Sequence, residues 1–267
     1  MSVTGDQLAR IALDAGALIM KVYATDFNVD RKDDSSPVTE ADEKAEAIIL
    51  AALADAEPSL PVIAEESVAA GHIPEHGHRF ALVDPLDGTK EFINKRDHFT
   101  VNIGIIEHGV PIMGVVYAPA LERLFVAEDR FSAWQATVAP GSDVPLTAER
   151  SPLRIRRVPD AGVTALASQS HRSDETNRFL DSQSVNEIIS AGSSLKFCML
   201  AAGEADLYPR HGRTMEWDTA AGHAIAAAAG GRVTELDGSP LRYGKKDRGY
   251  DNPHFIVWGD VTVRSTI

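Results

Sequence analysis

The sequence predicts an α+β chain that passes into an α/β layer after about residue 155. Two amphipathic helical segments open it. A run of turn-separated strand segments follows, and strand-like and helix-like segments alternate beyond residue 160.

Leu8, Ile11, Ala15, Leu18, Ile19 and Val22 recur at helical spacing and predict an amphipathic helix over residues 4–24. Residues 30–37 are polar, end in Pro37 and read as a mobile loop. Thr39-Glu40-Ala41-Asp42 has a capping-box pattern and opens a second helix. Its expected buried stripe is Ala45, Ile48, Ile49, Ala52 and Leu53. Two apolar runs, 60–64 and 80–83, each end on carboxylates. Strand-like segments at 100–106, 112–117 and 123–126 follow, and Glu107-His108-Gly109 suits a hairpin, so the middle region predicts a largely antiparallel sheet. The Arg- and Pro-bearing stretch 150–160 marks a composition shift. It is the expected boundary between an N-terminal unit (1–155) holding most of the acidic site and a C-terminal unit (156–267). Beyond it come a strand at 163–167, a helix at 174–180, a strand at 185–190 and a helix at 193–202. An alanine-rich helix at 217–229, stopped by Gly230-Gly231, precedes a strand at 232–235.

At 267 residues, with 44% apolar and 24% charged residues, the chain has the composition of a globular protein. A net charge of −13 argues against a nucleic-acid-binding surface. It leaves room for a small anionic substrate, because cations inside a site invert the local field. Cys198 is the only cysteine, so no intrachain disulfide forms, which fits a reducing compartment. Lying in an apolar run, it reads as a buried hydrophobe and not a nucleophile. The N-terminus lacks a signal-peptide pattern, and no uncharged apolar stretch reaches the roughly 18 residues of a membrane span. The expectation is a cytoplasmic protein without an integral membrane segment, monomer or homodimer.

The densest chemistry lies in Asp84-Pro85-Leu86-Asp87-Gly88-Thr89. Its acids stand at i and i+3, whereas phospho-aspartate hydrolases use D-x-D, so a covalent aspartyl mechanism fits poorly. Two carboxylates on one turn, with Glu65-Glu66 closing the preceding strand, repel at about 4 kcal/mol per pair at 4 Å and an effective dielectric of 20. Hard divalent cations relieve this. Asp84 can bridge a metal pair, Asp87 can bind the second ion, and the Leu86 carbonyl can be a further ligand. Gly88-Thr89 can open a short helix whose N–H groups take phosphate oxygens. An ordinary Asp-rich helix cap is the plainer alternative. Asp218, at the start of the alanine-rich helix, is either a first-turn Asp favoured by the dipole or a metal ligand from the second unit. Gly192-Ser193-Ser194-Leu195-Lys196 can present hydroxyls and a cation to an anion, or can be a plain N-cap. Arg210 and His171 are further candidate contacts. His72, His76 and His78 sit in a Gly- and Pro-rich loop, where His76-x-His78 can bind a soft metal but a solvated loop is the plainer reading.

Taken together, AEES, DPLDGT and WDTAAGHAIAAAAGG resemble the inositol monophosphatase superfamily of Mg²⁺-dependent, Li⁺-inhibited phosphatases, in the family's order and over roughly residues 5 to 258. LVDPLDGTKEFI, FTVNIGII, GVVYAPA, GSSLKFC and LYPR are similar to its 3′(2′),5′-bisphosphate nucleotidase subgroup. The resemblance implies a layered α/β/α/β/α sandwich. It implies two or three Mg²⁺ ions, with Glu65, Asp84 and the Leu86 carbonyl on the first and Asp84, Asp87 and Asp218 on the second. Asp42 and Thr89, with Glu65, would serve the attacking water, and Gly88 and Thr89 the scissile phosphate. His171, Ser193, Ser194, Lys196 and Arg210 would surround the nucleotide. Gln169 replaces an arginine common in the subgroup, which removes one basic contact. The implied activity is removal of the 3′-phosphate from adenosine 3′,5′-bisphosphate, with 3′-phosphoadenylyl sulfate as a further substrate, in sulfur assimilation and nucleotide recycling. Inositol monophosphates, sugar bisphosphates and a non-catalytic nucleotide- or metal-binding regulator are the alternatives. The resemblance also leaves open peripheral attachment to the cytoplasmic face of the inner membrane.

Overall fold

The computed structural model describes residues 2–27, 29–31, 37–142, 150–168, 173–183 and 185–260. Helix α1 (Gly5–Tyr23) starts at Thr4, which forms a capping box with Gln7, and buries Leu8, Ile11, Ala15, Ile19 and Val22. Leu18, expected in this stripe, is only half-buried. The expected loop at 30–37 is in part a two-stranded antiparallel ribbon, β1 (Val29–Arg31) with β2 (Pro37–Thr39). Polar composition hid that pairing, because a ribbon this short needs no apolar alternation. Helix α2 (Glu40–Ala56) starts at Thr39 as expected and buries Ala41, Asp42, Ala45, Glu46, Ile49 and Leu53. Ile48 and Ala52 are only half-buried, so the buried face is rotated toward two acids.

A seven-stranded sheet follows, in sequential order. Strand β3 (Val62–Ala64) runs parallel to β4 (Arg79–Asp87), and the short helix α3 (Glu65–Ala69) lies between them. Helix α4 (Thr89–Ile93) follows β4. The remaining strands are antiparallel: β5 (Thr100–Glu107), β6 (Val110–Ala118), β7 (Arg123–Ala127), β8 (Ala133–Thr137) and β9 (Ser151–Pro152). Seven consecutive residues of β5, Thr100 to Ile106, are buried, because both faces of the sheet are covered.

The second sheet has the order β11-β10-β12-β14-β13. Strand β10 (Val163–Ser168) pairs in parallel with β11 (Val185–Ala191) and β12 (Leu207–Arg210). Strand β14 (Phe255–Trp258) joins β12 and β13 (Arg232–Glu235) antiparallel. Helices α6 (Leu195–Ala201) and α7 (Glu216–Ala228) pack between the two sheets. Helix α5 (Asp174–Ser182) packs on the far face of the second, where Leu180 joins Leu207, Ile256 and Trp258. With α1 and α2 outermost on the other side, the layers run α/β/α/β/α.

The alanine-rich composition of α7 has a direct cause. Gly104 of β5 and Gly114 of β6 pair in register beneath it. A Cβ on Gly104 would stand 2.8 Å from Ala220 Cβ, and one on Gly114 would stand 2.9 Å from Ala221 Cα. On the other flank, a Cβ on Gly222 would meet Phe197 of α6 at 2.7 Å. Small residues on helix and sheet let the backbones approach, and this contact sets where the first turn of α7 points. Among the described residues no helix is long and apolar enough to cross a membrane. Cys198 is fully buried, with burial pushing its thiol pKa up, as expected of a structural cysteine. His76 departs from the solvated reading: its ring lies 3.9 Å from that of Phe80, and its Nε2 is 3.1 Å from the Tyr250 hydroxyl.

Candidate active site

The end of β4 is shaped by a bulge. Asp84 pairs with Asn102 and Asp87 with Thr100, so three steps on β4 oppose two on β5. The turn is closed by the Leu86 N–H, which donates to Asp84 Oδ1 at 3.0 Å. Gly88 then adopts φ 96°, a left-handed conformation suited to glycine, and leads into α4. The Thr89 hydroxyl lies 3.2 Å from both the Leu86 carbonyl and Asp42 Oδ1. The other oxygen of Asp42 accepts from the Thr39 N–H at 2.8 Å and the Thr39 hydroxyl at 2.7 Å. The capping box that starts α2 thus also fixes the carboxylate facing Thr89.

Glu65 is the first residue of α3, held in place from α2. Glu46 is buried and accepts from the N–H groups of Glu66 and Ser67 at 2.7 and 2.8 Å, and from the Ser67 hydroxyl at 2.6 Å. Asp218 stands in the first turn of α7, where its Oδ2 accepts from the Met215 N–H at 2.8 Å. One oxygen each from Glu65, Asp84 and Asp218 lie within 4.8 Å of one another. Asp87 falls outside that tight group but beside it. Its Oδ2 accepts from the Ser194 N–H at 2.7 Å and the Asn102 amide at 3.3 Å.

The electrostatics follow from this crowding. Burial raises the Asp87 pKa to about 6; Lys196 opposes the rise and Glu65 adds to it. Burial, then the charges of Asp87 and Glu65, push Asp218 well above the usual carboxylate range. Lys196 is 3% exposed, and its pKa falls to about 8, chiefly through burial. Its ammonium donates to the Ser193 and Ala191 carbonyls at 2.6 and 3.3 Å. The grouped donors are all carboxylate oxygens, with a backbone carbonyl nearby and no histidine or cysteine among them. That set fits a hard divalent cation and not a soft one.

A cavity of about 430 Å³ opens onto the group, lined by Glu65, Asp87, Gly88, Thr89, Ser193, Lys196, Arg210 and Asp218, among others. Lys196, Arg210 and Arg213 share that lining with the acids, and the charge of Lys196 acts on Asp87. Arg210 donates to the Arg213 carbonyl at 3.1 Å, and its buried Nε has no hydrogen-bond partner. Asp42, Asp84 and Leu86 stand behind the lining. Ser194 does too: it is 2% exposed, and its N–H and hydroxyl are engaged by Asp87, Asn102 and the Asp218 carbonyl. His171 and Gln169 lie outside the described residues. Sequence reasoning missed Glu46, Asn102 and Thr100. Their polarity gave no signal, because Glu46 falls outside the expected apolar stripe and Thr100 and Asn102 alternate with Val101, Ile103 and Ile105.

Comparison with known proteins agrees with this architecture. The model of the inositol monophosphatase family matches residues 5–256. A 3′(2′),5′-bisphosphate nucleotidase CysQ of Escherichia coli strain K12 is 42% identical over 254 residues, covering 94% of this chain and 98% of that protein. The crystal structure of CysQ from Bacteroides thetaiotaomicron superposes with a TM-score of 0.80 at 38% identity, covering 96% of each chain. An inositol monophosphatase of Thermotoga maritima gives 0.74 at 26% identity, covering 95% of this chain and 91% of that one. Matches of this length, over a fold with the same layers, show that the chain belongs to the inositol monophosphatase family.

Proposed function

We propose that this chain is a Mg²⁺-dependent phosphomonoesterase that removes the 3′-phosphate of adenosine 3′,5′-bisphosphate, releasing AMP and phosphate. 3′-Phosphoadenylyl sulfate is a second substrate of the same chemistry. The observation that carries this reading is one cavity lined by Glu65 and Asp218, which group with Asp84 behind them, and by Lys196 and Arg210. Acids there suit cations and a scissile phosphate, and the basic residues of the same lining suit a second phosphate through charge-assisted hydrogen bonds. The bisphosphate nucleotidase named above, 42% identical over nearly the whole chain, supports the same substrate.

Glu65, Asp84 and the Leu86 carbonyl would hold one cation, and Asp84, Asp87 and Asp218 another. When bound, the cations supply Lewis-acid charge that acidifies water and neutralises phosphate oxygens. The chain's own groups do the rest. The N–H groups at Gly88 and Thr89 hold the scissile phosphate. The Thr89 hydroxyl orients a water for in-line attack, taking its proton while passing its own to Asp42, a route supported by their 3.2 Å contact. Ser193, Lys196 and Arg210 surround the nucleotide. Ser194 is assigned to the same group through its hold on Asp87. A division into two units near residue 155, and a cytoplasmic setting suggested by the single cysteine, belong to the same proposal. Phosphate release from the bisphosphate and from inositol 1-phosphate, at equal concentrations, tests the substrate. A higher kcat/KM for the nucleotide is expected, and preference for the inositol ester would overturn the assignment.

A further inference from the structure

Asn102 lies on β5. It is fully buried, where an amide costs free energy unless its groups are satisfied. Here every group is used. Its amide N–H groups donate to Asp87 Oδ2 at 3.3 Å and to Ser194 Oγ at 3.1 Å. Its carbonyl accepts from the Thr100 hydroxyl at 2.9 Å. Ser194 carries the connection onward: its N–H donates to Asp87 Oδ2 at 2.7 Å and its hydroxyl to the backbone carbonyl of Asp218.

Asp87 belongs to β4 in the first sheet, and Asp218 to α7, which packs between the sheets. Ser194 therefore joins the two carboxyl-bearing segments directly, and Asn102 braces both Asp87 and the Ser194 hydroxyl from β5. Both bonds to Asp87 end on Oδ2, which leaves Oδ1 to a cation. The contact on Asp218 is to its main chain, so its carboxylate is left to the Met215 N–H and the cavity.

We infer that Asn102, acting through Ser194, is a positioning residue that sets Asp87 and Asp218 at a fixed separation and so sets the affinity for the divalent cation. This rests on the cation-binding reading of the carboxylates proposed above. Partners that orient metal ligands typically contribute about 10–100-fold in metal affinity. Asn102 reaches Asp218 only through the Ser194 hydroxyl, so the effects of losing the two side chains should overlap and not add in full.

The test is calorimetric titration of Mg²⁺ into chelator-treated protein without substrate, for wild type, Asn102→Leu, Ser194→Ala and the double variant, with thermal melts of each. Asn102→Leu keeps the volume and burial of the side chain and removes both donors. The expected result is Mg²⁺ binding weakened about tenfold or more in each single variant. The double variant should lose less than the two single losses combined, a non-additivity that a general loss of packing would not give. Mg²⁺ affinity within twofold of wild type in folded Asn102→Leu, or strictly additive losses, would overturn the inference. Should Asn102→Leu not fold, Ser194→Ala decides alone, and unchanged affinity there overturns it. If wild-type protein itself takes up no Mg²⁺, the cation-binding reading has failed, an outcome distinct from failure of the positioning role.

Discussion

Replacing Asp87 by Asn should stabilise the cation-free protein and remove most of what Mg²⁺ adds to its stability. The magnitude comes from the environment of that carboxylate. Folding raises its pKa from an ordinary 3.8 to about 6, mainly through burial. That displacement corresponds to about 3 kcal/mol by which folding disfavours the charged form. Below about pH 3.8 both folded and unfolded chains hold the proton and the penalty vanishes. Between 3.8 and about 6 the unfolded chain ionises first and stability falls; above about 6 the penalty is complete. Asp87 borders an open cavity, so solvent screens part of it and 3 kcal/mol is an upper bound. An Asn Oδ1 can still accept from Ser194 and Asn102, so their bonds need not be lost. At about 2.1 cal/mol/K of unfolding entropy per residue, the gain is worth up to about 5 °C in Tm. Melts of wild type and Asp87→Asn, with chelator and with Mg²⁺, at about pH 4 and about pH 8, measure it. The variant should match wild type at the lower pH, exceed it at the higher pH with chelator, and gain little from Mg²⁺. A variant that melts below wild type with chelator at about pH 8, or that gains as much from Mg²⁺, would refute the reasoning.

Further outcomes follow from the same structure. Asp84→Asn should abolish nearly all phosphate release while the circular dichroism spectrum stays native. Gly114→Ala should cost about 1–3 kcal/mol in urea denaturation, because its Cβ would press on Ala221 of α7 at 2.9 Å. Arg210→Gln should lower kcat/KM for the bisphosphate about 10–100-fold, the scale of one charge-assisted hydrogen bond, and change that for adenosine 3′-monophosphate much less. His223 is buried against the Tyr243 hydroxyl, with its pKa lowered from 6.5 to about 3, mainly by burial. Its contribution is present above pH 6.5 and is lost as the unfolded chain takes up a proton from there down to about pH 3. Stability should therefore fall over that window by up to about 5 kcal/mol, and His223→Gln should flatten that part of the pH–stability curve.

Local patterns were legible where local physics decides. The capping box at Thr39–Asp42, the start of α1 at Thr4 and the stop of α7 before Gly230-Gly231 were all readable, because helix ends are specified by a few neighbouring residues. The carboxylates of the DPLDGT turn, Glu65 and Asp218 were legible as candidates because four such acids, brought together, call for cations. What the sequence hid was non-local. Asn102 reads as an ordinary polar position of an alternating strand until Ser194 arrives from 92 residues away. Glu46 reads as solvated until the start of α3 is seen to donate to it, and His76 until Phe80 and Tyr250 enclose it. The ribbon of β1 and β2 was missed because so short a pairing leaves no apolar period.

The central claim is that carboxylates from both parts of the chain form one cation-dependent centre for 3′-dephosphorylation. Titrating Mg²⁺ into chelator-treated enzyme with adenosine 3′,5′-bisphosphate, and identifying the nucleotide product, tests it most directly. The account predicts no turnover without the cation, saturable recovery with it, and adenosine 5′-monophosphate as the product. Undiminished turnover under chelator, or release of adenosine 3′-monophosphate, would contradict it.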